Sequence, residues 1–246
     1  MGNISASKIE EVIAGISKEH PRVYFTGDLL KQLREKKDDP LFKTSYQDIK
    51  SKADEHLKSE MPRIVLLEDL YVPDGPIWDI RHAKDTKNFE RNEKMAIPFR
   101  TLIEMIPFCA FLYKVEGDKK YYERAVEGMK EIASLDLVAT SYINTHSFHG
   151  AIPALGSALD YLWDDMDVET RDFVVKALVE RAKEFHPLTV QDIFVNEGHL
   201  SNHNLVYGAP GMAITSLALF HHVPEAEGWL RDVLRDLDSV SPSYGG

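Results

Sequence analysis

The chain has 246 residues, of which 43% are hydrophobic and 28% are charged, and 29 Lys and Arg against 40 Asp and Glu give a formal net charge of −11. This composition excludes a disordered chain, and the single cysteine, Cys109, excludes an internal disulfide framework. The acidic balance argues against a general nucleic-acid binder, and no uninterrupted apolar run reaches the ~18 residues that span a bilayer.

Helical periodicity dominates the first part of the chain, where apolar side chains recur three and four residues apart. Three helices are predicted here: Ser7–Lys18, a second that Thr26 or Asp28 caps, and roughly Leu41–Leu57. Residues 1–60 are therefore expected to form an N-terminal helical segment of the domain. The main candidates for short extended segments are Val23–Phe25 and Ile64–Leu67.

Residues 61–96 are predicted to form an irregular, basic loop, because prolines and an Asp74-Gly75-Pro76 turn signal interrupt any periodicity. From Arg81 to Arg100 the chain carries six basic and three acidic residues, a local charge of +3. This stretch is a candidate binding strip for an anionic ligand, with a tryptophan to stack on a sugar face; a solvated loop and helix face is the alternative. The candidate side chains are Trp78, Arg81, Arg91 and Arg100.

Residues 97–246 contain a repeated unit of one strongly apolar helix, a short acidic turn and one amphipathic helix. A helix that is apolar all round is buried, whereas an amphipathic one lies outside, so the repeat predicts an inner and an outer layer. We predict an all-α fold of stacked helical hairpins that form part of an (α/α) toroid, an incomplete barrel, in one domain. The predicted pairs are Ile97–Tyr113 with Lys119–Ser134, Ile152–Trp163 with Val168–Phe185, and Leu205–Phe220 with a helix ending near Leu237.

Polar residues cluster before the second and third apolar helices, in Asn144–Gly150 and Asn196–Asn204. The two clusters occupy equivalent places in the repeat, so they are predicted to open on the same rim of a cavity. Helix capping and polar interhelical loops are the alternatives. The candidate side chains are His149, His199, Asn202, His203 and Asn204.

Metal binding is not expected at these clusters, although His199 and His203 have the spacing of a helical zinc pair. The segment lacks a His-Glu-x-x-His pattern, and Glu197 is its only acid. His221 and His222 end an apolar helix, where a cationic or capping role is favoured over ligation. No cofactor is predicted.

Several segments resemble the heparinase II/III-like and related alginate-lyase-type polysaccharide lyases. The opening His20-Pro-Arg-Val-Tyr-Phe-Thr26 is similar to the start of these proteins, as is the run Leu29–Arg34 that follows it. Two hairpin motifs of their toroid resemble Gly117–Ala125 and Ala158–Trp163, the latter with Val168–Arg171 after it, and their Asn- and His-containing segment resembles Asn202-His203-Asn204. The resemblance covers roughly residues 20–240, and the order and spacing of the motifs are typical of the superfamily, not of one substrate.

The resemblance implies β-elimination on a polysaccharide that contains uronic acid. The C5 proton of a uronate is hard to remove while the adjacent carboxylate is charged, so Asn and His donors neutralise the carboxylate and stabilise the enolate-like intermediate. By the matched motif, Asn202 and His203 are the neutralising pair, although Ser201 stands where many members have a first Asn. A tyrosine then removes the proton, and an acid protonates the leaving oxygen.

The tyrosine follows a Gly-rich turn in this family, and Tyr244 is the residue that stands in its place here. A frayed terminal aromatic is the alternative for Tyr244. We expect that the family's own tyrosine, the β-sandwich and any metal lie beyond residue 246. The isolated chain is therefore expected to be nearly inactive.

The resemblance also implies an anionic polysaccharide or oligosaccharide partner, with no nucleic acid and no membrane span, in a secreted, periplasmic or cell-surface protein. No signal peptide is visible in the sequence. Two alternatives stay open: an (α/α)-barrel glycoside hydrolase such as an unsaturated glucuronyl hydrolase, and a non-catalytic carbohydrate-binding helical domain. The hydrolase requires a carboxylate pair on the inner rim, for which Glu197 with Glu104 or Asp160 is a poor match.

Overall fold

The computed structural model describes residues 6–64, 86–135, 145–190 and 203–240, and all regular secondary structure within these ranges is helical. The helices of the described residues are α1 (Ala6–Ala14), α2 (Gly27–Lys36), α3 (Pro40–Lys58), α4 (Thr86–Glu116), α5 (Lys119–Ser134), α6 (Thr145–Leu162), α7 (Val168–Val190), α8 (His203–Leu219) and α9 (Pro224–Val240).

The predicted helices are confirmed. Their observed ends differ most from the predicted ones where the sequence has no clear capping residue or turn signal. Helix α5 has the predicted bounds, because Asp118 caps its first turn and its apolar residues keep one period. Helix α4 begins at Thr86 and not at Ile97, because residues 86–96 contain neither Gly nor Pro and are rich in strong helix formers. The predicted extended segment Val23–Phe25 is not a strand. Of Ile64–Leu67, only Ile64 lies among the described residues.

Three hairpins, α4–α5, α6–α7 and α8–α9, place the apolar helices side by side, since α6 packs against both α4 and α8. Within the described part of α6, every residue from Ala154 to Leu162 is buried. The inner position that its apolar sequence predicts for α6 is therefore confirmed.

The three apolar helices run parallel. The evidence is that their carboxyl ends are in contact with one another. Lys114 at the end of α4 forms an ion pair with Asp165, just after α6, with 2.7 Å between Nζ and Oδ2. Trp163, at the end of α6, stacks on His222, just after α8, with 3.9 Å between the ring centroids. We call this side of the molecule the turn edge, and the opposite side, where α6 and α8 begin, the N-terminal edge.

The N-terminal helical segment docks on the first hairpin through a polar network. Lys50 of α3 donates to Glu116 at 2.8 Å and to the Tyr121 hydroxyl at 3.1 Å. The Tyr121 hydroxyl donates to Asp54 at 2.5 Å, and Tyr46 donates to Glu116. Burial of Tyr46 and its bond to Glu116 raise the pKa of its phenol, so Tyr46 stays a neutral donor.

Among the described residues, one segment, Ala96–Glu116 within α4, is long and apolar enough to cross a membrane by length and composition alone, and 44% of its most apolar window is buried in the protein. A core helix of a soluble protein passes the same test, so this single segment is weak evidence for a membrane span.

Candidate functional site at the N-terminal edge

The described ends of the two polar clusters, residues 145–150 and 203–204, lie at the N-terminal edge. Because α6 and α8 run parallel and pack together, their first residues, Thr145 and His203, lie on the same side of the molecule. The backbone of His149 belongs to the second turn of α6, and His203 and Asn204 open α8. The helix arrangement therefore brings these predicted site positions to one edge.

Arg100 lies at the same level of the neighbouring helix α4. Gly150 of α6 lies so close to Ile103 of α4 that a Cβ on Gly150 would stand 2.5 Å from Ile103 Cδ1. Arg100 is one turn nearer the N-terminal end of α4 than Ile103, its side chain is exposed, and its Nε donates to the Ala96 carbonyl at 3.4 Å. The backbone of Arg91 belongs to the same helix, about 13 Å further along its axis.

The remaining predicted site residues fall outside the residues that the structure describes, and their positions stay predictions. This holds for Trp78, Arg81, His199, Asn202 and Tyr244. It also holds for the side chains of Arg91, His149, His203 and Asn204, whose backbones alone are described.

The two edges differ in the residues at their helix starts. At the turn edge, acidic residues cap the outer helices: Asp118 accepts from the Lys120 amide at the start of α5, and Asp167 accepts from the Thr170 amide at the start of α7. At the N-terminal edge, the first turns of α6 and α8 contain no acidic residue. Helix N-termini carry partial positive charge, and no acidic side chain of these two first turns offsets it.

The turn edge holds a cluster that sequence reasoning missed, formed by His20, Arg22, Asp160, Trp163 and His222. The Asp160 carboxylate is fully buried; it lies 2.8 Å from His20 Nδ1 and accepts from the Arg22 and Val23 amides at 3.0 Å each. The His20 ring stacks on Trp163 with 4.7 Å between centroids, and its Nε2 lies 3.0 Å from His222 Nε2. We call this group the turn-edge cluster.

Of the two roles expected for His222, cationic or capping, the surroundings of its ring disfavour the cationic one. Desolvation, followed by the positive charges of Arg22 and its other neighbours, lowers the pKa of His222 to about 4. His222 is therefore neutral at pH 7. His221 takes a positive φ of 70° in the turn after α8, and its Nε2 lies 3.2 Å from the Ile16 carbonyl.

The acidic residues considered for a hydrolase do not form a catalytic pair among the described residues. Asp160 is occupied and buried in the turn-edge cluster, away from the N-terminal edge. Glu104 is paired with Lys52 at 3.0 Å. Glu197 lies outside the described residues.

Cys109 is a core residue, as predicted. Its side chain is buried, and this burial raises the pKa of its thiol to about 12, so it is not a nucleophile. Within the part of the chain that the structure describes, no group of three or more His, Cys, Asp or Glu residues could hold a metal ion.

Comparisons with known proteins add no family to this geometry. No family model matches the chain, and no curated protein matches it.

Proposed function

We propose that the chain is an (α/α) toroid domain of a polysaccharide lyase that cleaves uronic-acid-containing polysaccharide by β-elimination. The observation that carries the proposal is that the described ends of the two polar segments, residues 145–150 and 203–204, lie together at the N-terminal edge. Three parallel apolar helices with outer partners are the arrangement that a toroid repeats. The motif resemblance described above supplies the reaction class.

The chemistry assigns roles to the residues at this edge. Asn202 and His203, of which His203 is the first residue of α8, neutralise the uronate carboxylate and so acidify the C5 proton. Tyr244 is the candidate base. His149, His199 and Asn204 hold the sugar hydroxyls, while Trp78, Arg81, Arg91 and Arg100 bind the rest of the polyanion.

The helix starts at the N-terminal edge are compatible with an anionic substrate. A net charge of −11 would repel a polyanion, but exposed charges further apart than about 8–10 Å are screened at physiological salt. The first turns of α6 and α8 contain no acidic residue that would add to this repulsion, whereas the acids that cap α5 and α7 lie at the turn edge. The motif resemblance adds a secreted, periplasmic or cell-surface location to the proposal, since such polysaccharides occur there.

The test uses the protein as expressed from its complete gene and a panel of uronate polysaccharides. A lyase produces an unsaturated sugar that absorbs ultraviolet light, so absorbance reports turnover. We expect Asn202→Ala and His203→Ala each to lower kcat by about 100- to 1,000-fold, the usual loss when one donor to a developing oxyanion is removed. His221→Ala, at the turn edge, is the matched control and should retain turnover.

Two outcomes would overturn the proposal. New reducing ends without ultraviolet absorbance would indicate a hydrolase instead. Binding of polysaccharide, measured by calorimetry, with neither product would indicate a carbohydrate-binding domain.

A further inference from the structure

A pocket of about 430 Å³ lies between α3, α4 and α6, away from the turn-edge cluster. Its volume is within the range of small-molecule sites. Aromatic rings form much of its wall, with Phe108 and Phe111 from α4, Tyr161 from α6, and Tyr24 from the segment before α2. A planar ring therefore finds stacking partners here.

The described wall of the pocket is uncharged. The residues that line it are apolar, aromatic or hydroxylated, and none of them is acidic or basic. Burial raises the pKa of both the Tyr24 and the Tyr161 phenol, so neither becomes an anion at neutral pH. The nearest charge recorded at this wall is Lys52 of α3, whose Nζ lies 5.6 Å from the Phe108 ring centroid and is already paired with Glu104 at 3.0 Å. An ionised ligand would therefore lose its hydration for little gain in counter-charge, so the wall favours neutral molecules.

Two prolines inside helices face this pocket, Pro107 of α4 and Pro153 of α6. Proline has no amide hydrogen, so the carbonyl four residues earlier has no α-helical donor. Those carbonyls belong to Ile103 and His149, which precede the prolines by one turn on the same helix faces. Of these two residues, Ile103 lines the pocket, so its carbonyl is a backbone acceptor that a ligand hydroxyl can satisfy there.

We propose that this pocket binds a small neutral aromatic alcohol, with the ring among Tyr24, Phe108 and Phe111 and the hydroxyl donating to the Ile103 carbonyl. The proposal does not rest on the polysaccharide lyase proposal, because a polyanion is the class of ligand that the uncharged wall disfavours. The two sites are neighbours, since Gly150 of the pocket wall belongs to the polar segment Asn144–Gly150.

The first test compares three ligands of similar size by NMR of the isoleucine methyl groups. Titration of each ligand gives its affinity, and the methyl groups whose signals shift show where it binds. The probes are 1-naphthol, 1-methylnaphthalene, which lacks the donor, and 1-naphthoate, which is charged. We expect shifts at the Ile49 and Ile103 methyls, and at least about tenfold tighter binding of 1-naphthol than of either other probe, the value of one satisfied hydrogen bond. Equal affinity for 1-naphthol and 1-methylnaphthalene, or tighter binding of 1-naphthoate, would overturn the proposal.

The second test restores the missing amide. In Pro107→Ala, the new N–H can bond the Ile103 carbonyl within the helix. We expect this variant to lose the preference for 1-naphthol over 1-methylnaphthalene while still binding both. Pro210→Ala, in α8 and not among the lining residues, is the matched control and should keep the preference. The same preference in Pro107→Ala as in the unchanged protein would refute the role of the Ile103 carbonyl.

Discussion

At the residue scale, Asp160 connects the start of the chain to the buried helix α6. Its carboxylate is fully buried, and its partners are the His20 ring and the amides of Arg22 and Val23. A buried carboxylate is tolerated only when its lone pairs are satisfied, and here the segment 20–23 satisfies them. The same contacts fix where α2 begins relative to the hairpins.

Replacing Asp160 by Asn should lower the free energy of unfolding by about 3 kcal/mol. The variant keeps the shape of the side chain but directs an NH2 group at partners that are themselves donors. Urea denaturation followed by circular dichroism measures the change. Asp164→Asn, an exposed neighbour in the same turn, is the control and should change stability by less than about 0.5 kcal/mol. Equal effects of the two substitutions would show that the buried contacts are not responsible.

His222 makes stability depend on pH. Its pKa is about 4 in the folded protein against an ordinary value of 6.5, because desolvation, Arg22, His20, His221 and Arg171 disfavour its charged form. As the pH falls, the unfolded chain takes up this proton first. The contribution of neutral His222 is therefore complete above about pH 6.5 and is lost progressively between pH 6.5 and pH 4.

We expect His222→Gln to flatten the decrease in the urea midpoint between pH 6.5 and pH 4, because the variant has no group to protonate there. The readout is the slope against pH, which a general loss of stability does not alter. His221→Gln, at the adjacent position, should keep the slope of the unchanged protein. An unchanged slope in His222→Gln would rule out His222 as its source.

At the element scale, the close packing of α6 against α8 depends on a glycine. A Cβ on Gly156 would stand 3.1 Å from Thr215 Oγ1 and 3.2 Å from Thr215 Cα, and the latter is backbone that cannot rotate away. The Thr215 hydroxyl also donates to the Ile152 carbonyl at 3.3 Å, so the two helices are joined at this level. The approach of these helices sets how near their N-terminal ends lie.

Gly156→Ala and Gly228→Ala form a matched pair of substitutions in helices. In an open helix position, Ala stabilises by about 0.5–1 kcal/mol relative to Gly, and a Cβ on Gly228 of α9 meets nothing within 4 Å. At Gly156 the added methyl must push α6 and α8 apart, so we expect a loss of about 1–3 kcal/mol. Thermal unfolding measures both, and the same sign at the two sites would contradict this account of the packing.

At the scale of the whole molecule, parallel packing of the apolar helices gives the molecule two different edges. The turn edge carries the acidic caps and the turn-edge cluster, which hold the hairpins together. The N-terminal edge gathers the starts of α6 and α8, where substrate binding is proposed. Substitutions at the turn edge are accordingly expected to change stability, and those at the N-terminal edge to change activity, as the separate tests above measure.

The sequence by itself determined the helices, the alternation of apolar and amphipathic ones, and the core position of Cys109. These follow from residue spacing and capping, which act over a few positions, as in α5. The irregular loop predicted for residues 61–96 is wrong for residues 86–96, because these residues contain neither Gly nor Pro and favour the first turns of α4.

Only the tertiary structure decided the contacts that give these elements their positions. Asp160 meets Arg22 across 138 positions of sequence, and His20 meets His222 across 202. No local pattern encodes such pairs, because they form only after the helices pack. The same packing neutralises His222, buries Asp160 beyond the reach of a substrate and aligns the starts of α6 and α8, since burial and parallel alignment are properties of the assembled helices and not of any one segment.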